Sequence, residues 1–199
     1  VVNTLTGAQT GTTLTLPGEQ FGSRLASLDG SRALIVTSVY DGRTSTNNLR
    51  LAVIDTTTGA QTGATTTLIG FLNGGVLYSA DTTRAVVTAI SSNFNTTGVA
   101  TTQVAVIDTS AGNQVGATLT LTPDNGLTVL SANGVRALVN TSAQTVVLNT
   151  VNGSEAGTLA GARAFPLLTP DGSRAVTATI DYNWFTRAYT THLSVAQIV

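Results

Sequence analysis

Cysteine, methionine and lysine are absent from this chain, and tryptophan and histidine occur once each. Without cysteine there are neither disulfides nor thiolate metal sites, and a single histidine leaves zinc short of nitrogen ligands. Without lysine no G-x-x-x-x-G-K-[ST] phosphate loop can form. Charged residues make up only 10% of the chain, against about 25% in an average domain. The basic residues are nine scattered arginines and the formal net charge is −1. Nucleic-acid binding draws on a basic patch that neutralises phosphates, and none is visible. No basic amphipathic stretch marks a membrane surface and no apolar run reaches the length of a bilayer span, so membrane insertion is not expected. The first residues carry neither a charged region nor an apolar core of a leader, so the chain reads as a mature or excised domain.

Hydrophobic residues are 42% of the chain, enough to fill a core, and threonine is about a fifth. Threonine and valine are β-branched and fit strands better than helices. An all-β fold follows, at a length of 199 residues that suits one domain, 1–199. Low charge, arginine without lysine and abundant threonine and alanine fit an exported protein of a high-GC bacterium, hence an extracellular or cell-surface location.

The strongest signal is internal repetition, which takes precedence over any local reading. "SLDGSRALIVTS" (27–38) returns as "SADTTRAVVTAI" (79–90), "SANGVRALVNTS" (131–142) and "TPDGSRAVTATI" (169–180), anchored on Arg32, Arg84, Arg136 and Arg174. "AVIDTTTGAQTGATTTL" (52–68) returns as "AVIDTSAGNQVGATLTL" (105–121) and, weaker, as "VVLNTVNGSEAGTLAG" (146–161). The chain also opens on it, as "VVNTLTGAQTGTTLTL" (1–16). Each repeat holds four short β-branched runs separated by Asp-Gly, Ala-Gly or Asn-Gly turns, a four-stranded antiparallel meander. Meanders of this length repeated in tandem are propeller blades. The third repeat is short: Arg32 to Asp55 spans 23 residues and Arg84 to Asp108 spans 24, but Arg136 to Asn149 only 13. Its middle hairpin, around "NTSAQT", is expected to be tight.

The C-terminal "LSVAQIV" (193–199) aligns with "LRLAVID" (49–55), a third strand, while the N-terminus supplies the end of a third strand and a fourth. The expected architecture is a four-bladed β-propeller of four-stranded antiparallel blades, closed by the N-terminal strand completing the C-terminal blade. Such closure leaves no bare edge to pair with other chains.

The order S-x-D-G-x-R-A-x-V-T followed by V-x-V-I-D-T-x-T-G resembles the YVTN-type propeller repeat of exported bacterial and archaeal surface proteins, over nearly the whole chain. The resemblance implies a propeller and an exported setting. Propellers span roughly 4–8 blades, so four repeats form either a small closed ring, a monomer, or half of an eight-bladed one, a homodimer. Propellers of similar repeat type include lactonases and redox proteins, but no acidic metal-ligand set or haem ligand of theirs can be matched here, so no catalytic residue is carried over.

Asp29, Asp81 and Asp171 precede their arginine by three residues, with Asn133 in the third repeat; Asp55 and Asp108 open the "DTTTG"-type turn, with Asn149 and Asn3 in the other copies. Interchange of Asp with Asn fits capping of a turn better than ligation of a metal. No EF-hand loop occurs; a weakly held Ca²⁺ or Mg²⁺ in a central channel is the one cofactor the acids would allow. His192 lies in a predicted third strand with no G-x-S-x-G elbow.

One stretch departs from the rest. "DYNWFTRAYTTH" (181–192) collects four of the ten aromatics, the single tryptophan and the single histidine. Tyr182 falls eight residues after its arginine, as Tyr40 does, and Trp184 ten after, as Phe94 does; Phe185, Arg187 and Tyr189 are additions. Tyr, Trp and Arg are the residues enriched at binding hot spots. The sequence thus points to a non-catalytic binding or scaffold module that meets a protein or carbohydrate through Tyr182, Trp184, Phe185, Arg187 and Tyr189. A channel-mouth hydrolase and a purely structural repeat are the alternatives.

Overall fold

A computed structural model describes the chain except for residues 3–4, 12, 26, 93–99, 123–127, 142–143, 161–163 and 199. Asn3, Phe94 and the tip of the third-repeat hairpin therefore lie outside the described residues. Among the described residues all regular structure is β. Blade 1 comprises β1 (Glu19–Leu25), β2 (Arg32–Asp41), β3 (Thr46–Asp55) and β4 (Gln61–Ile69). Blade 2 comprises β5 (Phe71–Tyr78), β6 (Arg84–Ser92), β7 (Ala100–Asp108) and β8 (Asn113–Leu121). Blade 3 comprises β9 (Thr128–Leu130), β10 (Arg136–Asn140), β11 (Gln144–Asn149) and β12 (Ser154–Ala160), and blade 4 β13 (Ala164–Leu168), β14 (Arg174–Asn183) and β15 (Ala188–Gln197). Every pairing is antiparallel and sequential, so each blade is the expected meander. The short repeat indeed makes short middle strands, with Arg136 opposite Asn149.

The blades stack face to face in sequence order. First strands β5, β9 and β13 are neighbours along one edge, and β4, β8 and β12 along the other. Strand alternation gives each blade a forward and a backward face. Leu34, Val36, Leu49, Leu51 and Val53 on the forward face of blade 1 pack with Ala85, Val87, Ala89, Ala105 and Ile107 on the backward face of blade 2. Val86, Val104 and Val106 meet Ala137, Val139, Val146 and Leu148 in the same way. Leu138 and Val147 meet Ala175 of blade 4. Between blades 1 and 2 large side chains thus point forward onto a back rich in alanine.

The outer strands interlock where side chains are missing. Gly63 and Gly112 adopt φ of 68° and 69°, and a Cβ on either would fall 2.4 Å or less from a carbonyl oxygen of the other turn. Only glycine fits both the dihedral and the space.

Two expectations are corrected. The N-terminal segment does not join β15. Its described residues lie against blade 1: Val2 pairs with Gln9, the Pro17 carbonyl accepts from the Thr37 hydroxyl, and Gly11 sits close to the Thr58 carbonyl. Among the described residues blade 4 has three strands, no strand pairs with the outer side of β15, and closure of a ring is not shown. The alignment of the C-terminus is also two residues off: β14 and β15 pair Arg174 with Gln197, as β2 and β3 pair Arg32 with Asp55. Gln197, and not Val199, stands where the other blades have their turn acid, and Ile198 donates to the Ser173 carbonyl just as Thr56 donates to Ser31.

Candidate functional site

The aromatic stretch is a continuation of strands and not a free loop. β14 and β15 run on past the blade body to a two-stranded arm in which Tyr182 faces Tyr189 and Asn183 faces Ala188. Residues 184–187 form its tip. The Asn183 side-chain oxygen accepts from the amides of Phe185 and Thr186 at 2.9 and 3.1 Å, and Arg187 closes the turn at φ 53°. Blade 1 builds the same hairpin from other residues: Asp41 accepts from the Arg43 amide and Ser45 closes at φ 55°. The spacing that matched Tyr182 to Tyr40 was therefore structural, and Trp184 and Phe185 stand where blade 1 has Gly42 and Arg43.

The rings are ordered by one another. Tyr182 meets Trp184 edge-on, centroids 4.8 Å apart, and meets Tyr189 at 4.7 Å; both separations fall within the favourable range for aromatic pairs. Tyr182 is half-buried, whereas Trp184 is 81% exposed and Phe185 fully so. On the opposite face of the arm His192 lies 3.3 Å from Asp181, both open to solvent. These side chains border a wide, shallow depression with Asn183 and Thr190. The structure brings Tyr182, Trp184 and Tyr189 together, and leaves Phe185 and Arg187 at the tip.

The repeated acids hold turns. Asp29, Asp81 and Asp171 accept from the amide two residues on, those of Ser31, Thr83 and Ser173, at 2.9–3.1 Å; Asn133 does the same for Val135. Hydrogen bonds from the Ser27 hydroxyl and from Ser31 hold Asp29 at about 2, and those from Thr169 and Ser173 hold Asp171 at about 2. The Ser79 hydroxyl and Thr83 lower Asp81 similarly. Asp55 and Asp108 divide their oxygens. One accepts from the turn amides of Thr57 and Thr58, or Ser110 and Ala111; the other meets Arg32 at 2.7 Å or Arg84 at 2.8 Å. Asp55 is lowered chiefly by Thr57 and Thr58. At Asp108 burial raises the value, but Ser110, Ala111 and Arg84 outweigh it. In register Asn149 stands opposite Arg136, whose guanidinium donates to the Val135 carbonyl, and Gln197 stands opposite Arg174. Among the described residues no three His, Cys, Asp or Glu converge as a metal site would require.

One residue escaped the sequence reading. The first turn carries Gly30, Gly134 and Gly172 at φ near 70°, and blade 2 places Thr82 there at 58°. A β-branched residue in that region is strained. Its hydroxyl accepts the Leu28 amide of blade 1 at 3.0 Å, a bond between blades that glycine could not make. "SADT" against "SLDG" was the available signal.

No protein-family model matches this chain, and no curated protein does. Among solved structures, a eukaryotic initiation factor aligns with a TM-score of 0.57 and 14% identity over 96% of this chain and 44% of that one. An acylaminoacyl peptidase of Pyrococcus horikoshii aligns with a TM-score of 0.49 and 11% identity over 90% and 32%. TolB from Acinetobacter baumannii aligns with a TM-score of 0.37 and 18% identity over 85% and 39%. The chain spans less than half the length of each. The likeness shows the fold alone, a propeller-type array of antiparallel blades.

Proposed function

We propose that this chain is a non-catalytic binding or scaffold module of an exported bacterial protein, and that the arm 181–192 docks a protein partner. The observation that carries this is the exposed Trp184–Phe185 tip on a rigid hairpin. The bonds accepted by Asn183 set the backbone of the turn and the packing of Tyr182 positions the Trp184 ring before any partner arrives, which lowers the ordering lost on binding. Covering a large side chain contributes roughly 1.5–3 kcal/mol. The commitment of Asp29, Asp55, Asp81, Asp108 and Asp171 to turns supports the non-catalytic reading, and the YVTN-like repeat supports the exported setting. Propellers host unrelated functions, so the fold does not choose among them.

Trp184 is the only tryptophan, so its fluorescence reports directly on the arm. Peptides selected from a random display library against the intact protein, with Trp184→Ala/Phe185→Ala as counter-selection, are expected to quench or shift that emission. The double variant is expected to keep its β circular dichroism and lose binding at least tenfold. Failure to enrich any peptide that distinguishes the two proteins overturns the reading. A shift produced instead by soluble glycans, from a panel of xylan, dextran and chitooligosaccharides, would make the partner a carbohydrate.

A further inference from the structure

The first turns of successive blades meet one another, and their junctions differ. Between blades 2 and 3 the turns are in direct contact: the Ala80 amide donates to the Ala132 carbonyl at 2.7 Å, and a Cβ on Gly134 would fall 2.6 Å from that of Ser79. Between blades 3 and 4 the Asn133 amide donates to the Pro170 carbonyl at 3.0 Å, and a Cβ on Gly172 would fall 3.1 Å from that of Arg136. At both junctions backbone meets backbone, beside a glycine that puts no side chain between the blades.

The junction of blades 1 and 2 is built otherwise. Thr82 holds the glycine's position. Seated as Gly134 is, its side chain would press on Ser27 and Arg32, the equivalents of Ser79 and Arg84. The Leu28 amide is met by the Thr82 hydroxyl at 3.0 Å and not by a carbonyl. The same hydroxyl donates to the Asp81 carbonyl at 2.7 Å, so the side chain is fixed as a spacer between the two turns. Beside it lies a cleft of about 330 Å³ bordered by Ser27, Arg32 and Thr82. Small-molecule sites begin at about 300 Å³, so the cleft suits one small ring and not a chain of rings.

The lining is rich in acceptors. Asp29 of blade 1 and Asp81 of blade 2 both border the cleft, and both are ionised at neutral pH. The Thr83 and Ser110 hydroxyls give their hydrogens to Asp81 and Asp108, so they too offer a ligand lone pairs. Arg32 is the one basic residue of the lining. Asp55 holds one of its terminal nitrogens, and its buried Nε has no hydrogen-bond partner among the described residues. Leu28, 79% exposed, adds an apolar rim. An apolar ligand would leave these groups unpaired, and an anion would face two carboxylates. A compact polyol donates from each hydroxyl and accepts at the same oxygen, which answers both kinds of group. We propose that the cleft between blades 1 and 2 binds a monosaccharide or a similar small polyol, and that Thr82 holds it open. The site is separate from the arm 181–192 and does not rest on the function assigned there.

Isotope-labelled protein titrated with D-mannose, D-galactose and mannitol, and followed by its amide chemical shifts, provides the test. Saturable shifts confined to residues 27–32, 81–83 and 109–110 are expected with at least one of these probes. Thr82→Gly gives blade 2 the residue that Gly30, Gly134 and Gly172 supply in the other turns; it is expected to keep the β circular dichroism and to abolish the shifts. Asp29→Asn preserves the turn, as Asn133 does in blade 3, and is expected to weaken binding about tenfold, the worth of one hydrogen bond to a charged group. No saturable shift with any of the probes overturns the proposal, as do shifts that Thr82→Gly leaves unchanged. Saturable shifts at the same residues with calcium or butylamine, and with none of the polyols, would make the cleft a cation site and overturn the polyol assignment.

Discussion

At the residue scale, the repeated acids show one side chain serving two structural duties. Asp55 and Asp108 each cap a turn with one oxygen and hold an arginine with the other. Asn149 keeps the first duty, accepting the Val151 amide at 2.9 Å, but offers Arg136 no charge. Asn149→Asp is therefore expected to restore the pair and stabilise the protein by about 0.5 kcal/mol, the magnitude of a partly exposed ion pair. An upward shift of the urea midpoint at neutral pH, abolished by Arg136→Ala, is the check. No shift would mean that the pairs of blades 1 and 2 contribute only geometry.

At the element scale, identical positions carry different loads according to what covers them. Leu51 and Leu193 share a place in third strands, yet Leu51 packs against blade 2 and is buried, whereas Leu193 is 72% exposed. Leu51→Ala is expected to cost about 2–5 kcal/mol, the transfer term plus a cavity in a packed layer. Leu193→Ala, measured by urea unfolding, is expected to cost under about 1 kcal/mol. Equal costs would show that Leu193 is covered in solution. The same reasoning explains why the arm reads as a site: its aromatic pairs hold one another and leave Trp184 and Phe185 unburied.

At the scale of the whole molecule, the turn acids act together on acid stability. Asp29, Asp55, Asp81, Asp108 and Asp171 all titrate below the ordinary carboxylate value of 3.8 in the folded state. A depressed folded value means that stability is present in full above the unfolded value and is lost as pH falls toward the folded one. Unfolding free energy is thus expected to be flat from pH 7 to about 5 and to fall between about 4 and 2, by denaturant melts followed by circular dichroism. The Asp29→Asn/Asp171→Asn variant should show a shallower fall. Equal slopes for variant and parent would show that these turns do not set acid stability.

Much of the fold was legible because its determinants are local. Asx turns recur in each repeat and are fixed by bonds to amides two or three positions on, and β-branched runs favour strands by their own stereochemistry; the arginine anchors recur as well, although Arg32 and Arg84 reach acids 23 and 24 positions away. The extra rings of 181–192 were legible as an anomaly of composition, although their form as an extended hairpin, set by Asn183 and the left-handed Arg187, was not. The sequence by itself determined the blades, their order and the chemistry of their turns. The tertiary structure alone decided how the ends are disposed, because residues 1–18 carry the same pattern whether they complete blade 4 or rest on blade 1. Covering Ile35 and Ile54 and pairing with β15 are non-local choices that no repeat encodes. The shift of the final strand by two residues has the same origin, since "LSVAQIV" lacks the acid that marks the register elsewhere and only the pairing with β14 supplies it.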